Sequence, residues 1–545
     1  MSEQEPLDAL VSDTEQRRVV AAELLPAARR ADLGQFFTPS RAASLIAALP
    51  SLPSTGVLRI LDPGAGVGSL TAAIVARAIR EAPGLRLDLV AVETDTQVIP
   101  YLEQTLAACR AAGESRGVNV AASVLAGDLV TYATGFDRAV GPLSTPFDLV
   151  IMNPPYRKLG AASTARQALI ADGVDCPNLY CTFLAIGAMV LKPRGQLVAI
   201  TPRSFANGPY FGAFRRFFLA QMTLDRLHVF ESRSTVFSDS DVLQENVVFS
   251  ATRCGTPGSV TLSVSRGHAD EAAKRSVPYC DVLKPGDPNQ FLHIPVSDQD
   301  PHISDAFSAL PGNLAALGIQ VSTGRVVDFR AREHLHDQPT AGSAPLIYPG
   351  NLRDGGIRWP LAIRKPQAIA DTEQTRKLLL PAGHYVVAKR FSAKEERRRV
   401  VAVVCDPEDL PAGNIGFENH LNVFHDRNQG LDSQLALGLC LWLNSTILDM
   451  HFRTFSGHTQ VNATDLRSLR YPSRAQLHAL AAALGRGSWP DQEKIDALVT
   501  RHIRPPRPAP GLRAQGAGEP ASCGPAITRS CSRPRLRSTL PRSGW

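Results

Sequence analysis

The stretch Asn153-Pro154-Pro155-Tyr156 follows directly on an apolar run at residues 147–152 and has the side chains to act on an amino group. Proline fixes its own φ and restricts the residue before it, so Asn153 Oδ1 and the Pro154 carbonyl oxygen would be held as two fixed acceptors. Two acceptors on one exocyclic NH2 group draw its hydrogens out of the ring plane and free its lone pair, which stabilises the transition state electrostatically. Tyr156 would stack on the ring that carries the amine. If the amine attacks a carbon that is already activated, such chemistry requires no metal and no strong base.

A glycine-rich loop lies upstream, where a strand-like stretch at residues 57–62 ends. Glycines let the backbone turn tightly and approach a ligand closely, with the N terminus of the next helix facing it. The pattern predicts a nucleotide-binding loop made of Asp62, Pro63, Gly64, Gly66 and Gly68. Taken alone, such a loop is equally compatible with a dinucleotide site or with no ligand.

Two further carboxylates end strand-like stretches. Glu93 comes about 25 residues after Gly68, where an acidic side chain accepts hydrogen bonds from ribose hydroxyls, and Asp128 ends the following stretch. Three acidic strand ends with one glycine loop favour a nucleoside ligand over a dinucleotide. The alternatives are that each carboxylate only caps a helix or turn, and that residues 153–156 are a proline-rich turn with a partly buried tyrosine.

Apolar runs of strand length alternate with helical patterns from about residue 57 to 250. This rhythm predicts an α/β fold, a doubly wound and mostly parallel sheet of seven strands that is Rossmann-like. Residues 226–231 and 245–253 would pair as its antiparallel edge. After a break at residues 254–260 the chain is richer in Pro, Gly, Asp and Arg, which predicts a second, mixed α+β domain.

Composition and charge limit the kinds of partner that the chain can be expected to bind. The tail from residue 504 contains eight arginines and one glutamate, which accounts for the whole formal charge of +7, so net charge gives no support for nucleic-acid binding by the rest of the chain. No run approaches about 18 apolar residues, and the start is acidic and polar, which predicts a cytoplasmic protein without a membrane span. Nine cysteines without a C-x-x-C pair predict no metal site.

The order of these motifs resembles that of the gamma class of type II DNA adenine-N6 methyltransferases, particularly the PstI/BsuBI-like branch, over roughly residues 30–475. The resemblance implies S-adenosyl-L-methionine as cofactor, with the glycine loop around it, Glu93 at its ribose, and Asp128 and Leu129 at its adenine. Residues 34–39, "GQFFTP", resemble a segment that packs against its methionine part. This assigns Gln35, Phe36, Thr38 and Pro39 to the cofactor site. The alternative is a loop with two core phenylalanines before a helix capped by Thr38.

The same resemblance makes residues 153–156 the catalytic motif, with Asn153 also at the cofactor. Residues 201–211 resemble a later motif that supplies an aromatic ring to the other face of a flipped base, because reaching an amino group inside a duplex requires turning the base out of the stack. We predict Phe211 in this role, with Tyr210 and Phe205 as alternatives.

A basic stretch in the C-terminal region predicts contacts with DNA phosphates. Its members are Lys389, Arg390, Lys394, Arg397, Arg398 and Arg399. The alternative is a solvated helix with salt bridges to Glu395 and Glu396. Residues 417–425 and 452–472 combine amides, histidines and arginines with aromatic rings and are candidates for reading bases.

Changes in pattern and composition divide the chain, and with the roles that the resemblance implies its parts are an N-terminal helix (1–30), a catalytic domain (31–255), a target-recognition domain (256–475), a helical end (476–503) and a disordered basic tail (504–545). The domain roles follow from the resemblance. It implies a monomeric, site-specific adenine methyltransferase that modifies double-stranded DNA, with a restriction endonuclease of the same specificity as its partner. Two alternatives are a protein glutamine-N5 methyltransferase of the release-factor type, whose substrate presents the same NH2 geometry, and a non-catalytic DNA-binding module. The long C-terminal region weighs against the first, and the complete set of cofactor-type residues weighs against the second.

Overall fold

The computed structural model describes residues 5–26, 29, 34, 36–134, 141–230, 246–265, 273–295, 303, 306–307, 309–392, 396–410, 413–456, 460–485 and 487–503. They form two compact units. Unit 1 holds the described residues up to Phe205 and those of Tyr210–Val282, whereas unit 2 holds Ala206–Pro209 and the described residues from Leu283 onward. Gln35, Lys394 and the predicted tail at residues 504–545 lie outside the described residues.

A nine-stranded sheet is the centre of unit 1. Its strands are β1 (Thr55–Pro63), β2 (Gly84–Glu93), β3 (Val120–Ala126), β4 (Phe147–Met152), β5 (Leu191–Pro202), β6 (Met222–Phe230), β7 (Asn246–Arg253), β8 (Ser259–Ser265) and β9 (Ala273–Pro278). They lie in the order β3-β2-β1-β4-β5-β7-β6-β8-β9. Strands β1 to β5 are parallel to their neighbours among themselves, and β7 is antiparallel to both β5 and β6.

Two features of this sheet correct the sequence-based predictions. For the described residues 226–230 and 246–253 the predicted pairing is confirmed as the β6–β7 pair, but this pair is not the edge, because β8 and β9 extend the sheet. The described sheet therefore has nine strands and not seven. Since the two units divide after Val282, the domain boundary predicted at residue 255 falls too early.

Helices cover both faces of the sheet. Those of unit 1 are α1 (Glu5–Leu24), α2 (Ser40–Ala47), α3 (Ser69–Glu81), α4 (Ile99–Glu114), α5 (Leu129–Ala133), α6 (Thr164–Ala171), α7 (Leu179–Val190), α8 (Gly212–Gln221) and α9 (Tyr279–Val282). Side chains of α1 to α4 pack on one face, in one core with Ile60, Leu89 and Ile151. On the other face α7 lies so close that a Cβ at Gly187 would be 2.9 Å from Met152 and Leu197. This double cover explains why β4 is buried almost throughout.

Unit 2 contains both strands and helices. Its strands are β10 (Gln320–Thr323), β11 (Leu335–His336), β12 (Ser343–Ile347), β13 (Leu352–Arg353), β14 (Gly356–Ile357), β15 (Ala368–Ala370), β16 (Leu379–Pro381), β17 (Tyr385–Lys389), β18 (Ala402–Cys405), β19 (Asn414–Phe417) and β20 (Leu421–His425). They form sheets in the orders β10-β20-β17-β18, β11-β15-β12-β19-β16 and β13-β14.

The helices of unit 2 follow mainly after its strands. They are α10 (Asp328–Ala331), α11 (Ser433–Leu443), α12 (Thr446–Phe455), α13 (Ala463–Ser468), α14 (Arg474–Leu484) and α15 (Gln492–His502). Their core surrounds Trp442, which is 1% exposed. Within the described residues no single helix is both long enough and apolar enough to cross a membrane, and α11 with α12 reaches that composition only as a pair bent by 61°.

Candidate active site

A cavity of about 300 Å³ opens at the carboxyl ends of the parallel strands of unit 1. Parallel strands bring these ends to one edge of the sheet, where ligands of open α/β folds bind. Of the residues predicted from the sequence, those that line the cavity are Phe36, Thr38, Gly64, Gly66, Glu93, Asp128, Leu129, Asn153 and Pro155. The fold thus brings the glycine loop, two carboxylates and the NPPY stretch to one place.

The glycine loop turns between β1 and α3 through three left-handed residues. The φ angles of Gly64, Gly66 and Gly68 are +72°, +56° and +88°. The amide of Gly66 donates a 2.8 Å hydrogen bond to the Glu93 carboxylate, and a Cβ on this glycine would lie 3.1 Å from the ring of Phe37. The loop is therefore tied to β2 and leaves no room for a side chain at Gly66.

Three residues in and around the glycine loop that were predicted to bind the cofactor do not line the cavity. Gly68 is the N-cap of α3, and a Cβ there would lie 2.9 Å from Thr105, so this glycine serves close helix packing. Pro63 ends β1, and Asp62 is only 2% exposed within the same strand. These three residues therefore belong to the strand end and the helix start that flank the loop, and they do not form the surface of the cavity.

Asp62 is a buried acid with one unsatisfied oxygen. Its Oδ2 accepts a 2.7 Å hydrogen bond from the hydroxyl of Thr71, whereas Oδ1 has no hydrogen-bond partner in the described part of the chain. Burial raises the pKa of Asp62 to about 7, although the bonds from Thr71 oppose the rise. Without a nearby cation this carboxyl is therefore largely protonated below neutral pH.

The raised pKa of Asp62 predicts a pH-dependent effect of Asp62→Asn on stability. The carboxyl ionises near pH 3.8 in the unfolded chain but near 7 in the folded protein, so the wild-type free energy of unfolding loses up to a few kcal/mol between these values as pH rises. The asparagine variant lacks this titration, and Thr71 can still donate to its amide oxygen. Denaturant unfolding of both proteins from pH 4 to 8 should show the variant gaining relative stability up to pH 7. A constant difference would contradict the pKa assignment.

The two other acidic strand ends have different settings. Glu93 is 4% exposed, and its oxygens accept from the amides of Gly66, Thr94 and Asp95 at 2.8–2.9 Å. Burial raises the pKa of Glu93, while these bonds oppose the rise. Asp128 is exposed at the N-cap of α5 and accepts a 2.9 Å bond from Val130. Asp128 therefore caps a helix and lines the cavity at the same time, so the capping interpretation does not exclude the functional one.

The segment at residues 34–39 lies against the NPPY stretch. The Gly34 carbonyl accepts a 3.1 Å hydrogen bond from the amide of Tyr156, and a Cβ on Gly34 would be 3.0 Å from the same nitrogen. Phe36 and Thr38 line the cavity, whereas Pro39 is the N-cap of α2 and does not. The segment is therefore more than two core phenylalanines before a helix, because its backbone contacts the predicted catalytic residues directly.

The orientation of the Asn153 amide is fixed by this segment. Asn153 Nδ2 donates to the Phe36 carbonyl at 2.9 Å and to Thr38 Oγ1 at 3.0 Å, which uses both of its hydrogens. Its Oδ1 accepts a 3.2 Å bond from the Tyr156 hydroxyl and has a second lone pair. Burial raises the pKa of Tyr156, so the phenol stays protonated and remains a donor. The oxygen end of Asn153 is therefore the end available to a substrate amine.

Thr38→Val should lower the rate of methyl transfer by about five- to tenfold, because one of the two bonds that orient Asn153 contributes about 1 kcal/mol. Thr38→Ser retains a hydroxyl and should stay close to the wild type. Single-turnover rates at saturating cofactor, with cofactor affinity measured separately, distinguish orientation of the amide from cofactor binding. Equal losses in the valine and serine variants would show that the hydroxyl is not what matters.

Aromatic rings adjoin the NPPY stretch. The ring centroid of Tyr156 is 5.6 Å from that of Phe36 and 6.2 Å from that of Tyr180, and Tyr180 is 5.7 Å from Phe211. The hydroxyls of Tyr180 and Ser204 are hydrogen-bonded at 2.9 Å. Tyr180 thus contacts both rings predicted to stack on a target base.

The alternatives to Phe211 differ in burial. Phe205 is 1% exposed and packs against Phe214 and Phe249, which makes it a core residue. Tyr210 is 81% exposed, whereas Phe211 is 7% exposed against Tyr180. Of the three rings, Phe211 is the one in contact with the aromatic group around Tyr156.

Several cavity residues escaped the sequence analysis. They include Phe37, Arg157, Ser163, Thr164, Leu179 and Phe183. The ring of Phe183 approaches to 3.2 Å from the Cβ position of Gly64. Phe183 and Tyr180 lie in an almost uniformly apolar helix, α7, whose pattern does not indicate which face meets a ligand. The only available signal was that this helix follows the NPPY stretch.

The basic stretch in unit 2 is divided between surface and interior. Arg399 is 1% exposed and donates to Ser456 Oγ at 3.2 Å, and its backbone amide donates to Asp449. Arg398 donates to Gln492 at 2.6 Å and to the Ser445 carbonyl at 2.7 Å.

The prediction that Arg399 contacts DNA phosphates is therefore wrong, because its guanidinium is buried. The guanidinium of Arg398 is likewise bound to acceptors within the protein. Arg397 is exposed and Lys389 and Arg390 are half-buried, so these three stay candidates. The described residues of the stretch form no helix, whereas Lys394 and Glu395 of the helix alternative lie outside the described residues.

The sheet order and the site at its strand ends define an α/β methyltransferase-like protein. Residues 129–237 match the family model described as Eco57I restriction-modification methylase. Among solved structures, the Type IIL restriction-modification enzyme MmeI in complex with DNA superimposes with a TM-score of 0.53 at 11% identity, over 83% of this chain and 71% of that one. This similarity shows a shared fold.

Two curated relatives match almost the whole chain. The type II methyltransferase M.PstI of Providencia stuartii is 39% identical over 490 residues, 89% of this chain and 96% of the relative. M.BsuBI of Bacillus subtilis, another type II methyltransferase, is 38% identical over 465 residues, 84% of this chain and 90% of the relative. The chain belongs to this family: it is a type II methyltransferase of the PstI/BsuBI branch, and thus a DNA methyltransferase of restriction–modification systems.

Proposed function

We propose that the protein transfers a methyl group from S-adenosyl-L-methionine to N6 of an adenine flipped out of double-stranded DNA. The observation that carries this proposal is the orientation of Asn153. Both hydrogens of its amide are held by Phe36 and Thr38, so a rigid oxygen acceptor stands beside Tyr156 and at the cavity. An acceptor in this position suits an exocyclic NH2 group on a flat ring.

The residues at the cavity fit the proposed cofactor. The glycine loop admits no side chain at Gly66, Glu93 and Asp128 offer acceptors to hydroxyl and amino groups, and Asp62 holds a buried oxygen without a partner in the described chain. When bound, S-adenosylmethionine supplies a methyl group activated by its positively charged sulfur. In this proposal Glu93 holds the ribose, Asp128 and Leu129 the adenine, and residues 34–38 the methionine part.

The chain's own groups perform the remaining steps of the proposed reaction. Asn153 Oδ1 and the Pro154 carbonyl accept hydrogen bonds from the two N–H groups of the target amine, and the proton that the methylated amine loses passes to solvent. Tyr156 stacks on one face of the base, and Phe211 covers the other. Unit 2 reads the DNA sequence, and Lys389, Arg390 and Arg397 contact phosphates. We propose further that the enzyme acts as a monomer in the cytoplasm and protects DNA against an endonuclease of the same specificity.

The deciding experiment is expression in a host without adenine methylation, followed by mass spectrometry of nucleosides and single-molecule sequencing of the DNA. We expect N6-methyladenine at one recurring sequence. N4-methylcytosine would keep the amine chemistry but refute the target base. Methylated glutamine in a release factor, with unmodified DNA, would favour the protein methyltransferase. DNA binding without any modified product would favour the non-catalytic module.

A further inference from the structure

Three stretches that are distant in the sequence meet on one surface of unit 2. β17 continues into Arg390 and Phe391, and Phe391 forms an antiparallel bridge with Gln460. The backbone amide of Arg390 donates a 2.9 Å hydrogen bond to the carbonyl of His420, in the turn between β19 and β20. We call Arg390, Phe391, His420 and Gln460 the convergent patch. Each of the three stretches carries side chains suited to DNA, and the fold joins them into one surface.

Arg390 links the other members of the patch. Its Nη1 donates to the Asn419 carbonyl at 3.1 Å, and its Nη2 lies 3.4 Å from Oε1 of Gln460. The Arg390 carbonyl in turn accepts a 2.7 Å bond from the amide of Val461. The bond to Oε1 turns the amide nitrogen of Gln460 away from the guanidinium, so this side chain keeps donor hydrogens for an external acceptor.

His420 is held by a buried carboxylate. Glu418 is 1% exposed, and it accepts from the backbone amide of His420 at 2.9 Å and from its Nδ1 at 2.5 Å. Burial raises the pKa of Glu418, and the bonds from His420 oppose that rise. A buried carboxylate is costly unless it is paired, so the contact serves to fix the imidazole. The His420 side chain is 46% exposed, and its Nε2 has no hydrogen bond within the described part of the chain.

Phe391 gives the patch an exposed aromatic ring. It is 44% exposed, and its ring centroid is 4.9 Å from that of His420. Phe391 therefore adds apolar surface directly beside the imidazole of His420. The combination of a guanidinium, an amide, an imidazole and an exposed ring has the donors, acceptors and apolar surface that base edges in the major groove recognise.

We infer that the convergent patch reads bases of the recognition sequence, with His420 and Gln460 making the contacts that discriminate between bases. Arg390 holds the patch together and supplies positive charge, and Phe391 packs against a base or its methyl group. The inference rests on the proposed function, since it names the specificity surface of the same DNA methyltransferase.

The test compares the wild type with His420→Ala, Gln460→Ala and Phe391→Ala. Methylated positions are mapped by single-molecule sequencing in a host that lacks adenine methylation. Fluorescence anisotropy then measures binding to an oligonucleotide with the mapped site and to versions with one base pair changed. We expect His420→Ala and Gln460→Ala each to lower discrimination at a particular position of the site by about tenfold or more. Phe391→Ala should weaken binding to the site while cofactor affinity stays unchanged.

Arg86→Ala is the matched control, because Arg86 is exposed near the amino end of β2, opposite the cavity edge, and should leave specificity unchanged. If thermal melting shows that an alanine variant is unfolded, the milder variants Gln460→Glu and Phe391→Leu replace it in the same measurements of binding and specificity. Wild-type discrimination and affinity in every folded variant would overturn the inference. Should the wild type make no N6-methyladenine, the proposed function fails, and binding to random-sequence duplexes still decides whether the patch touches DNA.

Discussion

Asn153→Ala should reduce methyl transfer by at least about a hundredfold, which is the usual loss when one preorganised transition-state contact is removed. The variant lacks the oxygen held beside Tyr156, and the amine then keeps its lone pair delocalised in the ring. The glycine loop and Glu93 stay in place, because their mutual hydrogen bond does not involve Asn153. Cofactor affinity should therefore change by only a few-fold in calorimetry, while the single-turnover rate with duplex DNA collapses.

Two further variants, Asn153→Asp and Asn119→Ala, serve as comparisons for Asn153→Ala. Asn153→Asp places a carboxylate oxygen against the Phe36 carbonyl, which cannot donate, so the protein should be inactive and also less stable than with alanine. Asn119→Ala alters an exposed asparagine and should leave the rate unchanged. An Asn153→Ala enzyme with the wild-type rate would remove the basis of the proposed mechanism.

Gly66→Val should weaken cofactor binding by about a hundredfold or more. Its φ of +56° is strained for any branched side chain, and its Cβ would sit 3.1 Å from Phe37 in the wall of the cavity. The valine would also push the loop away from Glu93, breaking the 2.8 Å hydrogen bond that ties the two together. Calorimetric titration with S-adenosylmethionine, together with denaturant unfolding, measures both effects.

Gly117→Val separates the two causes of that loss. Gly117 has a comparable φ of +68°, but a Cβ there meets nothing within 4 Å. Both variants should lose stability through left-handed strain of about 1–2 kcal/mol, whereas only Gly66→Val should lose cofactor affinity. Similar affinities in the two proteins would mean that the loop at Gly66 does not approach the ligand.

The sequence was informative where chemistry sits at the ends of parallel strands. Asp62, Glu93 and Asn153 each follow an apolar run, and pairing of β2 with β1 and of β1 with β4 brings these runs side by side. Periodicity alone therefore indicated which residues converge. It could not reveal that Thr38 and Phe36 fix the amide of Asn153, because that contact depends on the tertiary path of a short loop.

The errors have equally physical causes. The basic neighbours of Arg399 predict that it lies at the surface. Its hydrogen-bond partners Asp449 and Ser456 come about fifty residues later in the sequence, and Arg399 is buried with them. The early domain boundary followed a Pro- and Gly-rich break at residues 254–258, although the chain then returns to the sheet as β8, parallel to β6. A local break in pattern marks a turn, and whether a domain ends there depends on pairing that sequence periodicity does not encode.

The hydrogen bonds from residues 34–38 to residues 153–156 bear on how enzymes of this branch can be recombined. A chimaera that takes its amino-terminal forty residues from one parent and its sheet from another would inherit half of each contact. Crossovers placed beyond residue 156 take both stretches from the same parent enzyme and should preserve the catalytic rate. Crossovers between the two stretches should give chimaeras that fold but have a lower catalytic rate.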